Sequence, residues 1–455
     1  LGRKSMPKPI VAVVGRPNVG KSTLFNRLTG RRIAIVEDTP GITRDRLYAD
    51  GEWNGREYTL IDTGGISMDA EDPMQVQIRI QAEVAMEEAD VILIVCDATQ
   101  GVTPNDIELA NQLRRAQGTP MFLAINKADN IKRAQDASEF YSLGLGEIYP
   151  ISALGGRGVA DLLDDIVEAF PAMVPEPQIE SDVVRIALVG RPNVGKSSML
   201  NAILGEERAI VSPIAGTTRD AVDTPFEWDG RKIVLVDTAG IRRAGKIQGT
   251  VEYYSVLRAT RAIERCDVAI TVVDSIEGLL DGDKRVAGFA HEEGKAAVIA
   301  VNKWDLGRAK ALATYPQKAP MTAVTQHIRD EMPYVSYAPV AFCSAKACSG
   351  IGPLIEACLD AADANAMRIT TGELNRIFRD AVDARPTSHK GHTLKLRYAT
   401  MVSVKPPTII LKVNDPESLH FTYLRYLENQ LRKHVAFQGT PVKIIARKSN
   451  GKDED

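Results

Sequence analysis

Two lysines, Lys21 and Lys196, lie in identical GRPNVGKS octapeptides: Gly15-Arg16-Pro17-Asn18-Val19-Gly20-Lys21-Ser22 and, 175 residues on, Gly190-Arg191-Pro192-Asn193-Val194-Gly195-Lys196-Ser197. Glycines so placed let backbone N–H groups wrap a phosphate at a helix N-terminus. The lysine ammonium can reach the outer phosphates, and the serine hydroxyl can hold Mg2+. Thr23 and Ser198 extend the same loops. A carboxylate on the metal side follows in each copy, in Asp62-Thr63-Gly64-Gly65-Ile66 and Asp237-Thr238-Ala239-Gly240-Ile241, again 175 residues apart. The aspartate can hold the metal's water shell, and the backbone N–H of Gly65 or Gly240 can meet a γ-phosphate. Between loop and carboxylate, Thr43 and Thr218 each stand in a G-x-T-R-D frame. Their hydroxyls can complete the Mg2+ shell only while a γ-phosphate is present, so the loop that carries them is expected to switch. The expected catalytic sets are Lys21, Thr43, Asp62 and Gly65, and Lys196, Thr218, Asp237 and Gly240. The expected Mg2+ ligands are Ser22, Thr43 and Asp62, and Ser197, Thr218 and Asp237.

The base is specified further along. In Asn126-Lys127-Ala128-Asp129 and Asn302-Lys303-Trp304-Asp305, the carboxylate can accept from both N–H groups on the N1/N2 edge of guanine, an edge adenine does not offer. Ser152-Ala153 and Ser344-Ala345 follow in the same order. Two such series name GTP and GDP as the ligands.

These motifs need strands that end at one edge of a sheet. In each copy short β-branched runs alternate with helical patterns, as in IVAVVG, YTLIDT, VILIVCDA, MFLAINK and IYPISA. Runs buried on both faces and separated by helices predict a doubly wound, mostly parallel α/β sheet, with ligands at the carboxyl ends of the strands. The spacing gives a first GTPase domain over 6–170, a linker with three prolines over 171–183 and a second GTPase domain over 184–362, the latter enlarged by 16 residues around 308–332. A basic α+β unit is expected over 363–449: helix 372–384, strands 393–403 and 408–414, helix 421–436 and strand 441–447. A disordered tail is expected over 450–455. Residues 1–5 precede a start at Met6 and are set aside.

Composition narrows the setting. The chain has 455 residues, 44% hydrophobic, enough for about three cored domains. Apolar runs such as 91–96 and 233–236 fall far short of the roughly 18 residues of a membrane span, so no membrane association is expected. Five cysteines without a C-x-x-C pair read as buried free thiols in a reducing, cytoplasmic setting. The net charge of −3 is unevenly divided: from Ala366 onward 16 basic residues face 9 acidic ones, so the tail carries +7 and the remainder −10. A basic tail domain suits a polyanion or the acidic domains beside it.

The five ordered motifs resemble those of translation-factor-type GTPases. Two copies followed by a basic C-terminal domain, with TYLRYLENQLRK and GTPVKIIARK near the end, resemble the Der (EngA) family of bacterial double GTPases, related to Era. The resemblance spans residues 8–448. It implies two GTPase domains, a KH-like domain, a monomer, and work on assembly of the large (50S) ribosomal subunit and its rRNA. Two departures matter. The glutamine that orients the attacking water in many GTPases is replaced by Ile66 and Ile241. Hydrolysis must then rely on phosphate electrostatics, backbone positioning, a partner or a monovalent cation, and Asn18 and Asn193 match the asparagine that helps hold K+ in related GTPases. The basic domain also lacks the G-x-x-G with which ordinary KH domains clamp a nucleotide backbone. The copies themselves differ after D-x-x-G: Asp69, Glu71 and Asp72 in the first, Arg242, Arg243 and Lys246 in the second, where direct rRNA contact is expected. A GTP-driven switch and a nucleotide-dependent RNA-binding scaffold with little hydrolysis both remain open. A P-loop kinase would leave two NKxD motifs unexplained and has no acceptor site.

Overall fold

The computed structural model describes residues 8–29, 48–63, 82–83, 85–86, 89–114, 118–171, 183–210, 223–238, 259–389 and 392–449. Thr43, Gly64, Gly65, Ile66, Thr218, Ala239, Gly240, Ile241, the charged residues that follow the two D-x-x-G motifs, most of the expected linker and the expected disordered tail lie outside them. The chain divides into two compact units, 4–175 and 176–455.

In the first unit the elements are β1 (Ile10–Val14), α1 (Lys21–Leu28), β2 (Tyr48–Trp53), β3 (Arg56–Asp62), β4 (Val91–Asp97), α2 (Pro104–Leu113), β5 (Met121–Asn126), α3 (Ile131–Asp136), β6 (Ile148–Pro150) and α4 (Val159–Glu168). The sheet order is β2-β3-β1-β4-β5-β6, parallel except where β2 meets β3. Because β1 lies between β3 and β4, the chain leaves it at the point where the winding reverses, which is where open α/β sheets bind ligands. β4 is buried along its whole length, as a strand covered on both faces must be. On one face Leu24, Leu28 and Leu162 pack against it, and on the other Leu109, Leu113 and Phe140.

The second unit repeats this plan in β7 (Val184–Val189), α5 (Lys196–Leu204), β8 (Ala209–Ile210), β9 (Thr224–Trp228), β10 (Arg231–Val236), β11 (Val268–Asp274), α6 (Asp281–Glu292), β12 (Ala296–Asn302), α7 (Trp304–Thr314), α8 (Pro320–Glu331), β13 (Val340–Phe342) and α9 (Ile351–Ala366). Its seven strands run β13-β12-β11-β7-β10-β9-β8. The late enlargement forms α7 and α8, which pack Ala311 and Ile328 with Trp304 over β12.

The C-terminal part comprises α10 (Thr371–Ala384), β14 (Ser388–His389), β15 (His392–Thr393), β16 (Leu396–Ser403), β17 (Thr408–Val413), α11 (Phe421–His434) and β18 (Lys443–Lys448). The sheet β16-β17-β18 buries Ala399, Met401, Ile409 and Leu411 under the helices. It is fastened to the second GTPase sheet through backbone: Ala297 N–H donates to Gly439 O (2.8 Å), and Gly439 N–H donates to Tyr337 O (3.0 Å). Arg432 stacks its guanidinium 4.9 Å above the Tyr337 ring, and Lys443 donates to Glu292 O (3.4 Å). Part of the basic tail charge therefore serves docking within this unit. Four cysteines are buried, whereas Cys348 is exposed, on the loop that follows Ala345. No helix among the described residues is long and apolar enough to cross a membrane.

Candidate functional site

Strand register assembles the sites. β1 pairs with β3 so that Val13 lies beside Asp62, and β4 pairs with β5 so that Asp97 lies beside Asn126. In the second copy Asp274 lies beside Asn302. All these side chains thus reach the carboxyl edge of one sheet.

The loop after β1 closes as a cradle. Gly20 has φ +94°, and a Cβ there would come 2.3 Å from Asn126 Nδ2; Gly195 repeats this against Asn302 Nδ2, also at 2.3 Å. Asn18 and Asn193 hold left-handed φ of 65° and 62°, a conformation asparagine tolerates better than most residues. Val19 and Val194 are fully buried and anchor the loop, while Pro17, Asn18 and Asn193 are exposed and Pro192 is half-buried. Thr23 and Ser198 are exposed on the first turns of α1 and α5.

Lys21 Nζ donates to Gly15 O (2.6 Å) and Arg16 O (2.9 Å), and Lys196 Nζ donates to Gly190 O (2.7 Å) and to Arg191 O. Burial disfavours both ammonium groups and pushes each down to about 8, against an opposing attraction from Asp62 at Lys21 and from Asp283 at Lys196. A largely desolvated cation hydrogen-bonded to loop carbonyls in a cradle suits an incoming phosphate. Ser22 Oγ donates to Asp62 Oδ2 (3.3 Å), so two hard oxygen donors converge beside it, as Mg2+ requires. Thr63 Oγ donates to Val13 O (2.7 Å) and Thr238 Oγ pairs with Thr224 Oγ (2.8 Å), which ties each turn to its sheet. Asp237, φ +58°, donates its backbone N–H to Asp223 (2.9 Å), which Arg265 holds at 2.7 Å.

On the base side Asn126 braces two loops: Nδ2 donates to Val19 O (2.8 Å), and Oδ1 accepts from Ala153 N–H (2.9 Å). Asn302 does the same with Val194 O (2.9 Å) and Ala345 N–H (3.0 Å). Lys127 Nζ reaches Asn18 O (2.9 Å), and Lys303 Nζ reaches Asn193 O (3.1 Å). Asp129 is exposed and accepts from Ser152 Oγ (2.6 Å). Asp305 is exposed in the matching place, and Ser344 Oγ there accepts from Ala347 N–H (3.2 Å). Ala128 and Trp304 fill the core beneath the NKxD turns.

Four acids that sequence reasoning passed over hold these parts in place. Asp97 pairs with Lys127 at 2.6 Å, and Asp274 with Lys303 at 2.6 Å. Burial opposes both carboxylates, but hydrogen bonds from the lysines and from the following turns hold them below the ordinary range. Asp106 lies 3.4 Å from buried Arg16, and Asp283 3.0 Å from Arg191. Each of these two acids also caps its own helix, α2 or α6. A signal for them was present: D-x3-G-x4-D occurs at 97–106 and again at 274–283.

Comparison with known proteins agrees with this geometry. The family model described as "50S ribosome-binding GTPase" matches residues 10–127 and again 185–303. That described as "KH-domain-like of EngA bacterial GTPase enzymes, C-terminal" matches 368–447. The chain is 51% identical to GTPase Der of Brevibacillus brevis over 97% of its own length and 100% of the relative's. The chain belongs to the Der (EngA) family of bacterial double-domain GTPases. GTPase Der of Bacillus thuringiensis is 50% identical over 97% and 99% of the two chains. Among solved structures, an Aquifex aeolicus Era variant bound to GDP and AlF4− matches at 26% identity and TM-score 0.30, covering 57% of this chain and 88% of that one. As a member of the Der family the protein is a GTPase, with guanine nucleotide and Mg2+ as the ligands its family implies.

Proposed function

We propose that this GTPase is a nucleotide-controlled switch in the assembly of the large ribosomal subunit, with rRNA phosphates as its polyanion. The observation that carries this reading is two matching phosphate-loop cradles on one chain with a C-terminal domain whose three strands hold five basic residues and no acidic one. In each copy the loop of Gly15 to Ser22 or Gly190 to Ser197 binds the phosphates, with Thr23 and Ser198 completing the first helical turn. Lys21 and Lys196 turn from loop carbonyls to the β/γ-phosphates. Ser22 with Asp62, and Ser197 with Asp237, hold Mg2+, with Thr43 and Thr218 joining when GTP is bound. Mg2+ in that place neutralises charge between the β- and γ-phosphoryl groups. Asp129 and Asp305 select guanine, while Asn126 and Asn302 keep the base loops in register with the phosphate loops.

Ile66 and Ile241 cannot orient water, so intrinsic turnover is slow and the exposed, left-handed Asn18 and Asn193 admit K+ as a charge partner. Equal single-turnover rates in NaCl and KCl would end the K+ assignment. The wider reading is tested by cosedimentation with large subunits: retention of the GTP-loaded protein that GDP weakens supports it, and indifference to the nucleotide refutes it.

A further inference from the structure

The three-stranded sheet of the C-terminal domain covers one face with α10 and α11 and leaves the other open. Register fixes what the open face carries. Tyr398 pairs with Lys412, and Lys412 with Arg447, which places all three in one row across β16, β17 and β18. The next row is Thr400, Ile410 and Ile445. Alternation along each strand puts these residues opposite the buried Ala399 and Leu411 and the half-buried Ala446. Tyr398 is 43% exposed and Ile445 41%, and Lys412 and Arg447 are exposed as well.

Charge indicates what covers this face. The strands as a whole carry five cations and no carboxylate, which suits an acidic polymer. The edge of β16 is less available. Asn375 of α10 donates to Ala399 O and accepts from Ala399 N–H, both at 2.9 Å, and so occupies the backbone groups an added strand would need. Near Lys443 the sheet borders the second GTPase domain, which leaves the Tyr398 and Thr400 rows open.

We infer that this open sheet face is a platform for unpaired RNA, with one base stacked on Tyr398 beside the apolar row and the adjoining phosphates on Lys412 and Arg447. An aromatic ring flanked by cations on a flat sheet meets a base face and its backbone at once, with little demand for sequence. The domain thereby reaches RNA without a G-x-x-G loop. This inference rests on the ribosomal reading above and specifies the surface that would serve it.

The test uses the full chain and a fluorescent, mixed-sequence single-stranded RNA of about 12 nucleotides. Tyr398→Ala should weaken binding about tenfold, and Tyr398→Phe should keep it within about twofold, because stacking needs the ring and not the hydroxyl. Replacing both Lys412 and Arg447 by Ala should lower the slope of log affinity against log salt by about 1.4, roughly 0.7 for each phosphate no longer neutralised. GTP affinity of the variants, read in parallel, should stay within about twofold of the unaltered protein. Photocrosslinking should join Tyr398 to RNA. If the unaltered chain binds RNA and large subunits and the variants bind equally well, the platform is wrong and the ribosomal reading stands. If the unaltered chain binds neither, both fall. A crosslink from Tyr398 to ribosomal protein in place of RNA also overturns the platform.

Discussion

The two nucleotide sites share every residue from Gly15 to Ser22, yet their surroundings differ in ways that divide the labour of each part. In the first copy Arg27, at the end of α1, donates to Ala153 O and Leu154 O and clasps the loop under the base. The residue 175 positions on is Ala202, buried at 4% exposure, which cannot make that clasp. In both copies the loop also closes on its own backbone, Ser152 N–H donating to Arg157 O (3.0 Å) and Ser344 N–H to Ser349 O (2.9 Å). Arg16 is held by Asp106 and Gln100, whereas Arg191 is held by two carboxylates, Asp283 and Glu277. What stays constant is the loop proposed to bind phosphate, where the close approach of Gly20 to Asn126 and of Gly195 to Asn302 leaves almost no room for substitution. What varies adjusts how firmly the base loop is held, so nucleotide release is where the copies should diverge.

The largest expected effect tests the constant part. Lys21→Ala and Lys196→Ala should each remove hydrolysis at their own site by at least about 100-fold, the scale of losing one charge-stabilising donor. Single-turnover measurement of each variant then assigns the remaining rate to the other copy. A chain that hydrolyses at the full rate with either lysine gone would dissolve the comparison.

Exchange of Asp129 or Asp305 for Asn replaces an acceptor with a donor at the guanine edge. GTP affinity at that site should fall about 100-fold, since a polar mismatch in a hydrogen-bonding pocket is strongly rejected. Competition with labelled GDP reads it, and equal loss at both sites is expected despite their different loops.

Arg27→Ala sharpens the contrast. The loss of its hydrogen bonds, about 1 to 1.5 kcal/mol, should speed GDP release from the first site by about five- to tenfold and leave the second unchanged. Stopped-flow release of a fluorescent GDP analogue decides this, and an equal change at both sites would show that the clasp is not local.

The smallest effect is common to both copies. Lys21 and Lys196 titrate at about 8 in the free protein, and a bound phosphate favours the ammonium and raises that value. Affinity should be flat below pH 8 and fall as pH rises above it, because binding then takes up a proton. Calorimetry at pH 8.5 in buffers of different ionisation heat should show net uptake at both sites; none at either site would mean that the lysines stay charged in the free state.

Much of this was legible beforehand. The strand-to-helix setting of the two GRPNVGKS loops and the C-terminal order of helix, two strands, helix and strand follow from motifs and periodicity, and the elements form within a few residues of the expected bounds. The late enlargement was visible only as extra length; that it folds into α7 and α8 depends on packing against Trp304 and β12. The expected burial of all the cysteines failed at Cys348, whose loop follows the base motif instead of a core strand.

Sequence alone determined which groups could bind phosphate, metal and guanine, because those groups come in short contiguous runs whose backbone geometry is local. Tertiary structure decided which acid meets which cation: Asp97 reaches Lys127, and Asp106 reaches Arg16, only once β4, β5 and α2 are set side by side. It also decided that Tyr398, Lys412 and Arg447 form one row, since strand register is a property of the folded sheet and the chain order does not contain it.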